Sequence, residues 1–368
     1  MKKWIAVLAV LLMAGPAMAA DWSFYGSQRM ATFYVYDDFG DGQVNGEDDD
    51  WGLQWDFQGN SRLGVKVKAD KVSGQIELGL KGTNGGDLDV GTRRAYGEWK
   101  FSDAGGGMKL KVGKDYSAAN RFISSQVFAE DDGLGGSGEF YTRRPGQLGL
   151  EIGSFQLGLI TNAGPTNSPD VTPAGSDPDW NLPKAEASYL LNLGSFDIRP
   201  FGGVQYFKVD RGNSTLTDDL DILSYVVGVD STINIGALFI GAQVSYGQNW
   251  TNANWGQSIV SAGSSSSASL KGTDDVYDAT TWMGELVVAF KASDTLRPEV
   301  GFGYRNDDPD TPGSDNDEMW VVYGQVEITL APGVYLLPEV GYYDKMDDAA
   351  GNNEGYQWYA GAKWQIDF

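Results

Sequence analysis

From Trp22 to Phe368 apolar and polar residues alternate with a period of two, the period of a strand whose two faces meet different surroundings. The last segment shows it most plainly. Trp358, Ala360, Ala362, Trp364, Ile366 and Phe368 share one parity, and Gln357, Tyr359, Gly361, Lys363, Gln365 and Asp367 share the other. Leu63, Val65 and Val67 oppose Arg62, Lys66 and Lys68 in the same way, and Val322, Val326, Ile328 and Leu330 oppose Gln325 and Glu327. The pattern predicts sixteen strands, near 22–36, 55–69, 73–82, 91–101, 107–114, 138–152, 155–162, 182–192, 195–209, 219–232, 236–249, 276–291, 295–305, 317–330, 334–344 and 355–368. Tight turns such as Gly153-Ser154 and Ala331-Pro332-Gly333 interleave with long polar connections at 37–54, 83–90, 115–137, 163–181, 210–218, 250–275, 306–316 and 345–354. Strict alternation of short and long connections is what an even-stranded up-and-down barrel gives when both termini lie at the short-turn end.

The faces decide which solvent lies where. Sixteen strands enclose a lumen too wide for side chains of the wall to fill. One face of most segments is apolar, while the other carries Arg, Lys, Glu and Gln. A polar interior with an apolar exterior predicts an all-β transmembrane barrel around water, and Trp282, Trp320, Trp358 and Trp364 near strand ends fit interfacial girdles. Met1–Ala19 reads as a secretory leader: Lys2 and Lys3, an apolar run to Ala14, a Gly15-Pro16 break and an Ala17-Met18-Ala19 cleavage site. The remainder, 20–368, reads as a single barrel domain. Composition narrows the chemistry. The 368 residues include no His and no Cys, which excludes His-based triads, His-ligated zinc or haem, disulfides and iron–sulfur clusters. No enzymatic activity is expected. A formal net charge of −23, made more negative by loss of the leader lysines, argues against a nucleic-acid partner.

Three stretches carry a family resemblance: Asn60-Ser61-Arg62-Leu63-Gly64-Val65-Lys66; Thr92-Arg93-Arg94-Ala95-Tyr96 followed by Met108 to Tyr116; and the ending Trp364-Gln365-Ile366-Asp367-Phe368. In this order over the whole mature length, the chain resembles the general trimeric porins of Gram-negative outer membranes. The resemblance implies a sixteen-stranded barrel in the cell outer membrane, a homotrimer contacting through the first five strands, and Phe368 as the barrel-insertion signal. It also implies that 115–137, the third long loop, folds inward and narrows the channel. On the residues alone, this loop reads equally as an inward element or as a solvated surface loop. Its apolar stretch Phe122-Ile123…Val127-Phe128 suits an inner wall, and Glu130, Asp131 and Asp132 suit an aperture.

An arginine wall is the natural partner for those acids. The family motif points Arg62 and Arg93 into the lumen. Parity agrees for Arg62 but favours Arg94 over Arg93, so both are kept as candidates. Arg143 shares a face with Glu139, Gln147 and Glu151, which favours it over Arg144. Arg29, Lys66, Lys109 and Lys111 complete the expected pore lining. Opposed charged walls are how pores set ion selectivity. No cofactor is expected. The acidic loops Glu47-Asp48-Asp49-Asp50 and Asp307-Asp308…Asp317-Glu318 suit solvated acids or loose divalent bridging to lipopolysaccharide, and Gly263 to Ser267 suits a flexible loop tip. The function expected is passive diffusion of ions and small hydrophilic solutes with weak cation preference. The alternative is a porin selective for sugars or anions, for which Tyr323, Tyr335 and Tyr343 could form a lumen ladder.

Overall fold

The computed structural model describes residues 20–40, 50–82, 88–131, 133–162, 177–210, 219–256, 265–272 and 275–368. The leader Met1–Ala19, Glu47 to Asp49, Gly263, Ser264 and the constriction candidate Asp132 lie outside the described residues.

Sixteen antiparallel strands close into one barrel. They are β1 (Asp21–Asp38), β2 (Asp50–Phe57 resumed as Arg62–Lys68), β3 (Val72–Gly82), β4 (Leu88–Ser102), β5 (Met108–Lys114), β6 (Gly146–Ile152), β7 (Phe155–Ile160) and β8 (Asp177–Asp179, Lys184–Tyr189 and Leu191–Asn192). They continue as β9 (Phe196–Asp210), β10 (Leu220–Ile235), β11 (Leu238–Gln248), β12 (Ala279–Phe290), β13 (Leu296–Pro309), β14 (Asp317–Ala331), β15 (Val334–Asp344) and β16 (Tyr356–Asp367). Each strand pairs with its sequence neighbour, and β16 returns to β1 with Met30 opposite Trp364. Closure pairs β1 on both sides from Gly26 onward, the condition for backbone exposed to hydrocarbon.

Alternation from Trp22 to Phe368 would set residue 22 beside residue 368 at the seam, and the closing register corrects this expectation. Residue 368 pairs not with residue 22 but with Gly26, whose N–H and C=O bond the Phe368 carbonyl and N–H at 2.7 and 3.0 Å. Residues ahead of Gly26 pair on the other side only, with the second half of β2, as Trp22 does with Val67. Glycine suits position 26, because a Cβ there would meet the Phe368 ring at 2.4 Å. A second correction concerns the sixth strand, which begins at Gly146 rather than 138. Residues 138–145 belong to the third loop, their backbone engaged by groups of the loop itself and of the wall rather than by a ladder. Asn120 and Gln243, for example, accept the N–H groups of Thr142 and Phe140.

Alternation sorts the side chains as the sequence implies. Trp55, Val112, Leu148, Val227, Leu286 and Val340 are exposed on the outside, while Gln75, Gln147, Gln205, Ser224 and Gln243 are buried inside. Aromatic rings ring the long-loop end of the exterior: Trp51 meets Trp358 edge-on at 4.5 Å, Trp320 meets Tyr342 at 5.2 Å, and Trp282 meets Tyr304 at 4.6 Å. β2 is interrupted where its sequence turns wholly polar, at Gln58 to Ser61. There the Ser61 hydroxyl substitutes for a ladder partner, accepting the Arg29 N–H at 2.9 Å and donating to the Arg29 carbonyl at 3.0 Å. The interruption turns Gln58 and Asn60 toward the third loop.

Candidate functional site: the lumen and its third loop

The segment from Asp115 to Pro145 has almost no regular structure, so its backbone needs partners elsewhere. It finds them on inward-facing side chains spread around the wall. The Glu339 carboxylate on β15 accepts the N–H groups of Val127 and Phe128 at 2.8 and 3.0 Å. Glu299 on β13 accepts the Ser125 N–H at 2.9 Å, and Gln325 on β14 donates to the Ser125 carbonyl at 2.8 Å. Within the loop, Glu139 accepts the N–H groups of Ile123 and Ser124. Arg199 on β9 donates to the carbonyls of Ala118 and Ala119, both at 3.0 Å. Apolar residues of the loop share the wall: Val127, Phe128 and Leu134 pack with Phe33, Tyr343 and Tyr359, and the Phe128 ring stacks on Tyr359 at 3.7 Å. Contacts on β1, β9 and β13 to β16 place the loop against the inner face. Tyr323 and Tyr343 have lumen parity, but both are buried under the loop, bonded to Ser124 and Gln126. Of the three lumen tyrosines, Tyr335 is the one that reaches open space.

A cavity of about 530 Å³ remains at the short-turn end, walled by Arg29, Arg62 and Lys363 from the barrel and by Tyr116, Gln126 and Asp131 from the loop. Around it the ionic pattern repeats, each carboxylate being shared by two cations. Asp131 takes Arg29 and Lys363, the latter at 3.1 Å. Glu77 takes Arg93 at 3.0 Å and Arg62 at 3.8 Å. Asp115 takes Arg94 at 2.6 Å and Lys111 at 2.7 Å. Burial pushes the Asp115 carboxyl up, but the hydrogen bonds and charges of Arg94 and Lys111 outweigh it and hold the group below the usual range. Glu130 pairs with Lys81 and accepts the Gly59 N–H at 3.1 Å.

These positions resolve the parity conflict at Arg93 and Arg94. β3 and β4 pair with a register shift, Glu77 opposite Arg94 and Leu78 opposite Thr92, so Arg93 is the extra residue of a bulge. Both guanidinium groups therefore reach lumen acids. Arg94 accordingly does not face lipid. Lys66 lies over the Tyr25 ring at 5.1 Å, Lys109 pairs with Glu151 at 2.8 Å, and Lys111 also approaches Glu98 at 3.4 Å. Arg143 is placed differently from its parity reading. It sits in the loop with a left-handed backbone, φ 60°, and its side chain is exposed, whereas Arg144 donates to the Tyr116 hydroxyl at 2.8 Å. Strand parity does not apply to residue 143, because no strand contains it.

Sequence reasoning passed over Lys363, whose lumen parity was visible, and Glu77, Asp115, Glu299 and Glu339, whose roles depend on distant partners. It also passed over the segment Asn249–Gly256. Trp250 and Trp255 there are fully buried inside the barrel, although the connection 250–275 reads as surface. Ser266 is likewise fully buried and bonds Thr251, so the serine run is not a free tip throughout. Two tryptophans in one polar loop were the available signal.

No protein-family model matches the chain, and no curated protein does. Solved structures do match in fold. The outer membrane channel DcaP of Acinetobacter baumannii superposes with a TM-score of 0.71 at 18% identity, over 96% of this chain and 99% of that one. The Salmonella typhi OmpF in complex with daunomycin gives 0.59 at 12%, over 94% and 97%. An anion-selective porin from Comamonas acidovorans gives 0.56 at 12%, over 95% and 100%. Across its length this chain shares the closed sixteen-stranded fold of outer-membrane channels and porins.

Proposed function

We propose that the protein is a porin in the outer membrane of a Gram-negative bacterium, a passive channel for ions and small hydrophilic solutes with no reaction catalysed. The observation that carries this reading is the cavity of about 530 Å³, walled by Arg29, Arg62 and Lys363 inside a barrel whose exterior is apolar. The constriction is formed by Glu130 and Asp131 of the third loop and their basic partners on the wall. Two fields compete in it. The outer connections are acid-rich and repel anions, an effect that decays over roughly 10 Å at 0.1 M salt, which gives the weak cation preference. A second reading, preference for anions, is favoured by the six cations that share Asp131, Glu77 and Asp115. Reversal potentials in a KCl gradient separate the two. Glu130→Gln with Asp131→Asn should move the potential toward anions. An unmoved potential removes these acids from the aperture, and absence of any conductance from the purified barrel removes the channel reading.

The chain assembles as a homotrimer with outward Gln28 and Thr32 of β1 at the subunit contact. Mass measurement in mild detergent yielding monomer alone is the contrary result. Loosely held divalent cations bridge its outer acids to lipopolysaccharide.

A further inference from the structure

We infer that a second inward segment, Asn249–Gly256 with Ser265 to Ala268, seals the half of the lumen bounded by β8–β13, so that solutes pass only along β1–β6 and the short-turn ends of β14–β16. The inference rests on the channel reading above and adds the element that fixes the path and its width. Trp250, Ala253 and Trp255 form an apolar plug with Ala119 and Phe140 of the third loop and with Phe201, Val226 and Met283 of the wall. The Phe140 ring lies 5.3 Å from Trp250 and 5.3 Å from Phe201.

The plug is tied on every side. Ser224 and Gln205 donate to the carbonyls of Asn249 and Asn252, each at 2.8 Å, and Lys184 donates to the Ala253 carbonyl at 3.0 Å. Trp255 donates its indole N–H to Glu186 at 2.8 Å. Its neighbour Gly256 donates to the Tyr141 carbonyl at 2.9 Å, locking plug to loop. Arg305 of β13 reaches the carbonyls of both Gly136 and Gly256. On the long-loop side, Ala268 continues the seal with Phe207, Val209, Leu220 and Ile222.

The consequence is visible in the wall. Behind the plug Glu186, Gln205, Ser224, Gln243, Ser245 and Glu285 are all buried, and on the open path Gln75 and Glu77 are buried as well, beneath Tyr25 and Arg93, so the exposed bases mark the difference. Across the barrel, Lys66 is exposed and Lys81 keeps 57% of its side-chain surface. Dense packing with bonded backbone marks a fixed partition rather than a lid, since segments that open have few apolar contacts and solvated backbone.

The chain has no cysteine, so single substitutions report accessibility cleanly. Lys66→Cys and Gln365→Cys stand on the open path, and Gln205→Cys and Ser245→Cys stand behind the plug. In planar bilayers a trimethylammonium-ethyl methanethiosulfonate reagent should take most of the current from the first pair. The second pair should stay unlabelled by mass spectrometry until the barrel is denatured. Trp250→Ala with Trp255→Ala should raise the conductance and make Gln205→Cys reactive. Labelling of Gln205→Cys with loss of current in the otherwise intact channel overturns the partition, as does a double alanine variant with parental conductance and unreactive Gln205→Cys. If the double variant does not assemble, the four single cysteines decide alone. A parent barrel with no conductance would reject the channel reading, whereas uniform labelling of a conducting one rejects only the partition.

Discussion

At the scale of single residues, Asp131, Glu77 and Asp115 are each shared between two bases. Asp115 holds Arg94 at 2.6 Å and Lys111 at 2.7 Å. Asp115→Asn keeps the shape but leaves Arg94 without its paired carboxylate and Lys111 with only the more distant Glu98 and Glu151. We expect the reversal potential to move toward anions, with a loss of stability of order 1–3 kcal/mol, the scale of one charged hydrogen-bonding group left unmatched. Chemical denaturation of the refolded barrel checks the second figure. Glu354, in the connection before β16, offers a pH test. Burial, then Asp317 and Asp348, push its carboxyl from 4.5 up to about 7. A folded value above the unfolded one means that its contribution is present below pH 4.5 and is lost as pH rises through about 7. Protection of residues 345–355 against hydrogen exchange should therefore fall between these values, and Glu354→Gln should flatten the fall. The residue scale is also where sequence reading was weakest. Parity selected Arg62 for the inner face, but it could not admit Arg93 and Arg94 together, because one bulge residue breaks the count.

At the scale of elements, every one of the predicted strands is present, and the departures lie at ends that tertiary partners set. β6 starts late because Glu139 and Thr142 bond other parts of the third loop while the Phe140 N–H bonds Gln243 of β11. β2 breaks at Gln58 to Ser61 because that segment binds the third loop, Gln58 donating to the carbonyls of Val127 and Ala129 at 2.6 and 3.1 Å. The inward course of the third loop was half legible. Its apolar stretch allowed it, while the glutamates that receive its backbone sit on strands more than 150 residues away in sequence, as the Ser125–Glu299 and Val127–Glu339 bonds show. The terminal strand carries the element-scale prediction. Deleting Phe368 removes both bonds to Gly26 at the closing seam, so outer-membrane assembly should slow markedly. Heat-modifiable mobility on gels measures it, and undiminished assembly would separate the seam from insertion.

At the scale of the whole molecule, closure pairs strand with strand around the wall and leaves large apolar side chains exposed on the outer face of the described strands. Val340 is 56% exposed on the outer face of β15. Val340→Arg should cost about 2–4 kcal/mol if it sits near the bilayer midplane, falling toward zero nearer an interface. Urea titration of folding into vesicles reads the difference, and a negligible change would place this position against a partner subunit or the headgroups instead of lipid.

The sequence by itself determined the strand number, the sidedness of the strands and the polarity of the lumen, because a period of two and the length of each connection are local properties of the chain. It also marked Arg62 as inward, since parity is inherited from neighbours. Only the tertiary structure decided which acids the lumen bases share, how the third loop is held, and that Trp250 and Trp255 fill one side of the barrel. Those outcomes depend on pairings between groups far apart in the chain. A buried backbone segment takes whatever carboxylate or amide the closed wall presents to it, and no local pattern records which one that is.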